Sequence, residues 1–161
     1  MNFFLIWNTE VRSKAITTIA WDGDTIACDS YMTGDYIMDN MQKVFLHDDK
    51  YYCCAGEYAK ALSLIDYLLD VSDSKVDCEG CEVLVVDKVT KRALLYSNSL
   101  RPFPVEAPFA MGTGAAYALA IMLHHIDIDD RCLLDMSAIE AVDMARRLDP
   151  YTGGEIKIYE T

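Results

Sequence analysis

TTIAWDGDTIACDS, residues 17–30, is the stretch on which the fold turns. Two short apolar runs of strand-forming residues flank Asp22-Gly23-Asp24, which predicts a β-hairpin. The turn type sets which residues face each other. A type I′ turn on Asp22-Gly23 places residue 16 opposite Asp29. A type II′ turn on Gly23-Asp24, with glycine first, places Thr18 opposite Asp29 and Thr17 opposite Ser30. The two hydroxyls at the head of the hairpin therefore stand at different places in the two arrangements.

Beyond the hairpin, QKVFLH (42–47) and KYYCCA (50–55) read as a second strand pair around Asp48-Asp49. Tyr58, Leu62, Ile65 and Leu69 recur at helical spacing and predict a helix with one apolar face. SDSKVDCEG breaks that pattern and leads straight to a strand, CEVLVVD, which pairs with KRALLYS across Lys88-Val89-Thr90. RPFPVEAP reads as extended, its prolines opposing helix and ladder alike. GTGAAYALAIMLHH reads as a helix opening on glycines. Ser137 and Glu140 form a capping box for SAIEAVDMARRL, which Pro150 ends. TGGEIKIYE reads as a last strand, with Ile156 and Ile158 on one face. Runs of strands followed by runs of helices predict α+β, with two antiparallel sheets faced by helix layers.

The 161 residues suit one domain, and 52% hydrophobic against 25% charged residues is globular composition. A formal charge of −12 repels phosphate backbones and opposes nucleic-acid binding. The apolar run NFFLIW near the N-terminus is too short for a signal-peptide core or a membrane span, so the sequence reads as a cytoplasmic protein with no membrane partner. Cys78 and Cys81 make a lone CxxC with no second pair at zinc spacing, and His124-His125 lie far along the chain; free thiols are the reading. Cys53 and Cys54, in an apolar strand, read as small hydrophobes.

TTIAxDG…IAxDS followed by a lysine resembles the proteasome β-type N-terminal-nucleophile hydrolases, including the bacterial two-ring protease and short phage-encoded relatives. The similarity runs from about Thr17 to Tyr159. Thr17-Thr18-Ile19 matches the start of the mature family chain, Asp29 the acidic residue closing the first hairpin, and Lys43 the active-site lysine. Ala55-Gly56 matches the oxyanion-hole glycine, and Gly112-Thr113-Gly114 a Gly-Ser-Gly. Asp149-Pro-Tyr-Thr152-Gly153-Gly154 matches an Asp-x-x-Ser-Gly-Gly. The resemblance implies a four-layer αββα sandwich over residues 17–161, preceded by a 1–16 extension or propeptide. It implies a threonine peptidase acting on polypeptides, a homo-oligomeric ring, and an AAA+ unfoldase partner. No metal or organic cofactor is implied.

The chemistry suits these residue types. An N-terminal threonine supplies a hydroxyl nucleophile and its own α-amine as base. That amine titrates near pKa ~8, and a neighbouring ammonium lowers it. By the resemblance, Lys43 is that ammonium and Asp29 orients it. Gly56 offers its N–H to the oxyanion, and Thr113, Asp149 and Thr152 orient the amine and its water. Matching positions give Met41, Phe45, Cys54 and Tyr58 as a pocket for an apolar side chain.

The chain also departs from the family. Its first hairpin is shorter, and the family's spacing counted back from Asp29 lands on Ser13. The Gly23-Asp24 turn reproduces the family's cross-strand pairing for Thr17 and favours it. Thr17 carries a 16-residue extension. Its amine is free only if Ile16–Thr17 is cut, and β-branched Ile16 stands where the family has a small residue. The second antiparallel helix of the family is missing. NFFLIW reads as a plug in the cleft, an added strand or an assembly arm, and the family fold without catalysis is the alternative function.

Overall fold

A computed structural model describes residues 14–15, 17–33, 37–72, 75–124 and 137–161. In chain order the elements are β1 (Lys14–Ala15), β2 (Thr18–Trp21), β3 (Thr25–Cys28), β4 (Met32–Thr33), β5 (Ile37–Met38), β6 (Val44–His47), β7 (Lys50–Glu57), α1 (Tyr58–Leu68), β8 (Cys81–Asp87), β9 (Ala93–Ser97), β10 (Phe103–Val105), β11 (Phe109–Gly112), α2 (Ala115–His124), α3 (Ala138–Leu148) and β12 (Lys157–Glu160). Ser13, Ile16, His125 and NFFLIW lie outside the described residues.

The hairpin takes the Gly23-Asp24 turn. Ile19 faces Cys28, Ala20 faces Ala27 and Trp21 faces Ile26. The Asp22 N–H donates to the Thr25 carbonyl at 3.2 Å, closing a two-residue loop. Gly23 sits at φ 111°, open to glycine and strained for other residues. The Asp22 carboxylate accepts the N–H groups of Asp24 and Thr25, at 3.0 and 2.7 Å, and so pins the turn from inside.

One sheet runs β10-β9-β8-β7-β1-β4-β5, with β6 also pairing β7; the other runs β11-β2-β3-β12. Strand alternation divides their side chains between two faces. Ile19, Trp21, Ile26 and Cys28 of the smaller sheet pack with Val44, Tyr51, Cys53, Ala55, Leu84 and Val86 of the larger. On the other face of the larger sheet, Tyr52, Cys54 and Val83 pack with Ala61, Leu64 and Ile65 of α1. On the other face of the smaller sheet, Ala20 and Ala27 pack with Ala118 and Met122 of α2 and with Ala138, Ala141, Val142 and Ala145 of α3.

Three sequence expectations are corrected, those on Leu62, Pro104 and the glycine-led segment. The buried face of α1 is Ala61, Leu64 and Ile65, while Leu62 is only half-buried, because the helix is rotated on its sheet. Pro104 does enter a ladder: β10 pairs with β9 at the edge of the larger sheet, where a missing N–H donor is tolerated. The glycine-led segment starts as strand, since β11 pairs with β2 before α2 begins at Ala115. In the last strand Ile158 is half exposed and Tyr159 packs toward the core between the sheets. The capping box on α3 is present, with Ser137 Oγ accepting from the Glu140 N–H and the Glu140 carboxylate accepting from the Ser137 N–H. Residues 75–80 lead into β8 without helix, and Val76 and Cys78 pack beside α1.

Small side chains let α2 and α3 close on β2 and β3. These alanine contacts fix the ends of both helices, because Thr113-Gly114 leads into α2 and Asp149 caps the end of α3. Ala141→Leu should overpack this contact and cost about 1–3 kcal/mol in chemical denaturation.

Candidate active site

The β2–β3 register continues past the ladder: the Asp29 N–H donates to the Thr18 carbonyl at 3.2 Å, placing Thr18 opposite Asp29. Thr17 follows at the mouth of the hairpin. Its hydroxyl donates to Asp29 Oδ1 at 2.9 Å. The Thr18 N–H donates to the same oxygen at 2.9 Å, and Lys43 Nζ donates to it at 2.7 Å. Asp29 Oδ2 accepts the Gly153 N–H at 3.1 Å. Thr17, Asp29 and Lys43 are all at 0% exposure. The carboxylate is thus buried with an ion pair and three further donors, the arrangement a buried charge needs.

Lys43 is held just ahead of β6, where its carbonyl accepts the Cys54 N–H at 2.9 Å. Burial pulls its ammonium below the ordinary lysine value, and the charge and hydrogen bond of Asp29 oppose that shift. Cys28 and Cys54 feel the Lys43 charge, yet burial lifts both thiols to about 12. Thiols raised this far are poor nucleophiles near neutral pH.

The Thr17 carbonyl accepts the Thr113 N–H at 2.8 Å. Gly112, at φ 92°, makes this approach possible: a Cβ there would stand 1.9 Å from the Thr17 oxygen. Thr113 Oγ1 and Thr152 Oγ1 each donate to Asp149 Oδ2 at 2.7 Å. Burial pushes the Asp149 carboxyl up, but hydrogen bonds from Thr152, Thr113 and the Tyr151 N–H outweigh it and hold the group below the usual carboxylate range. The Thr152 hydroxyl also lies 2.6 Å from Thr18 Oγ1.

Gly56, next to last in β7, sits at φ 82°, and a Cβ on it would stand 2.2 Å from the Gly80 carbonyl oxygen. It pairs with Ala15, and Glu57 pairs with Lys14, in antiparallel register; Lys14 also pairs with Thr33 of β4. Lys14–Ala15 is therefore a strand laid between Thr33 and Gly56, one residue ahead of Thr17.

Of the four pocket positions, Phe45 and Tyr58 pack against the cluster that contains Cys54, and the Tyr58 hydroxyl donates to the Gln42 carbonyl at 2.8 Å. Met41 stands outside that cluster, its N–H tied to the Ser30 carbonyl at 3.0 Å. Sequence reasoning missed Thr18, the Gly153 N–H on Asp29 and the close approach at Gly112. Only Thr18 left a signal: adjacent strand residues face opposite sides, so its hydroxyl had to find partners away from Lys43.

No family model matches the sequence, and no curated protein matches it. Solved structures do. Thiobacillus denitrificans BPH in complex with epoxomicin superposes with TM-score 0.65 at 17% identity, covering 90% of this chain and 97% of that one. Thiobacillus denitrificans BPH superposes with TM-score 0.64 at 16% identity, covering 90% and 96%. A eukaryotic HslV from Trypanosoma brucei superposes with TM-score 0.63 at 18% identity, covering 90% and 99%. The chain shares the fold of these proteins over nearly its whole length.

Two outcomes are expected from the geometry. Lys43→Ala leaves Asp29 buried and uncompensated and should cost about 3–5 kcal/mol in urea unfolding, whereas Asp29→Asn with Lys43→Met should recover much of that loss. The Asp149 carboxylate stabilises the fold above its unfolded pKa of about 4, and that contribution is lost as pH falls through the lower folded value. The dependence of melting temperature on pH across this acid range should therefore be flatter for Asp149→Asn.

Proposed function

We propose that the chain is a proteasome-type threonine peptidase with Thr17 as nucleophile. The observation that carries this reading is the shared oxygen of Asp29, which accepts both the Thr17 hydroxyl and the Lys43 ammonium in a fully buried site. The fold likeness to an HslV and to BPH supports it. So do the three packing clusters, which fit an αββα sandwich of α1, two sheets, and α2 with α3.

Cleavage of Ile16–Thr17 comes first and frees the Thr17 amine. The Thr17 hydroxyl oxygen then adds to the substrate carbonyl carbon, and its proton passes to that amine. Lys43 favours the neutral, basic form of the amine by charge repulsion. The developing oxyanion meets the Gly56 N–H, a donor of the kind whose loss costs about 3 kcal/mol. Collapse expels the leaving amine, which takes the proton, and leaves an ester on Thr17. Water then attacks the ester, gives its proton to the Thr17 amine and restores the hydroxyl. Asp149, Thr113 and Thr152 hold the amine and that water. Phe45 and Tyr58, packed beside Cys54, border the pocket for an apolar side chain before the scissile bond, with Met41 outside their cluster. A polypeptide substrate, a homo-oligomeric ring and an AAA+ unfoldase belong to the same reading.

A second reading has its own observation. Lys14–Ala15 is hydrogen-bonded into the larger sheet on both sides, as expected of an assembly or binding protein that keeps its arm.

Intact mass separates the two. The peptidase loses residues 1–16, a loss abolished in Thr17→Ala, and a peptide vinyl sulfone then adds once, at Thr17. A stable full-length chain that takes no label overturns the peptidase and leaves the binding protein. In the released enzyme, hydrolysis of a fluorogenic peptide should rise with pH as the Thr17 amine loses its proton. Lys43→Met should move that limb to higher pH, because the ammonium that lowers the amine pKa is gone.

A further inference from the structure

We propose that Thr18 is a positioning residue for the Thr17 site, a role that rests on the threonine-peptidase reading. Strand alternation turns its side chain away from Asp29. There Thr18 Oγ1 accepts the Gly114 N–H at 3.1 Å and lies 2.6 Å from Thr152 Oγ1. A hydroxyl carries one proton. The proton of Thr152 is committed to Asp149 Oδ2, so the 2.6 Å bond is donated by Thr18. The chain therefore has one direction: Gly114 N–H to Thr18, Thr18 to Thr152, Thr152 to Asp149. Thr18 is at 0% exposure and Thr152 at 4%, so water offers little alternative.

Thr18 is held from both sides. Its N–H donates to Asp29 Oδ1 and its carbonyl accepts the Asp29 N–H, while its hydroxyl belongs to the Asp149 chain. It is the covalent neighbour of Thr17 and links the carboxylate that faces the nucleophile to the carboxylate at the end of α3. Besides donating its N–H, Gly114 serves this link by leaving room. A Cβ there would stand 2.1 Å from Thr18 Oγ1 and 2.8 Å from Thr152 Oγ1. Thr18 reaches no reacting atom; it acts by holding the backbone from which the Thr17 hydroxyl projects.

The test compares full-length Thr18→Ser, which keeps the hydroxyl, with Thr18→Ala, which loses it. The readouts are the rate of arm release by intact mass and the rate of vinyl sulfone addition to Thr17. Thr18→Ser should stay close to wild type, and Thr18→Ala should fall by up to about 100-fold, the scale of a 1 Å misplacement. Gly114→Ala, which keeps every hydroxyl, should fall with it and stands in if Thr18→Ala does not fold. Release and labelling equally fast in wild type and Thr18→Ala overturn the proposal and leave the peptidase reading intact. So does a Thr18→Ser chain as slow as Thr18→Ala, because then the hydroxyl is not what matters. A wild-type chain that neither shortens nor takes label overturns the peptidase reading, and the positioning role falls with it.

Discussion

The carboxylate of Asp29 is the constraint that shapes the site. A charge removed from water must be paired and hydrogen-bonded, or it destabilises the fold by several kcal/mol. Its partners here come from three parts of the chain: Thr17 and Thr18 at the head of β2, Lys43 ahead of β6, and Gly153 before the last strand. Each places a demand on the architecture. The hairpin must close on Gly23-Asp24, since a shift of one residue would turn Thr17 and Thr18 to the wrong faces. β6 must pair with β7 so that Lys43 reaches inward. The loop around Gly153 must return to the mouth of the hairpin.

A second carboxylate, Asp149, organises the other side of the same strand. It stands at the end of α3 and collects the hydroxyls of Thr113 and Thr152. The alanines between the helices and the smaller sheet allow both helices to come close enough for this. Thr113 also holds the Thr17 carbonyl through its N–H, so the Thr17 backbone is gripped by the segment that opens α2. Thr17 thus sits between a charged cluster and a hydroxyl cluster, with the nearby thiols kept neutral by burial.

Much of this could be read from local sequence. The strand alternation, the glycine of the turn and the capping box of α3 are short-range signals and led to the right elements. Thr17, Asp29 and Lys43 could be named because they fall in order along a resembling chain, and the structure brings them within hydrogen-bond reach. The rest depends on long-range packing. The rotation of α1 onto Ala61 and Leu64 is set by the sheet beneath it, and the periodicity also fits a neighbouring face. Pro104 could join a ladder only because β10 lies at an edge, which is a property of the assembled sheet. The partner of Thr18 lies 134 residues away, and no local pattern reveals it. Of the positions matched to a pocket, Phe45, Cys54 and Tyr58 share a cluster, while the Met41 N–H is tied to the Ser30 carbonyl, a contact no local pattern reveals.

The segment before Thr17 is tied into the larger sheet. Its final described strand, Lys14–Ala15, lies between Thr33 and Gly56, one residue ahead of Thr17. Everything proposed for Thr17 assumes a buried ammonium paired with Asp29. Side-chain nitrogen NMR of the lysines in the full-length chain measures this directly. The Lys43 ammonium should titrate below the ordinary lysine value and show a through-space contact to the Thr17 methyl group. A Lys43 signal that titrates with the surface lysines and shows no such contact would rule out that buried pair and the nucleophile built on it.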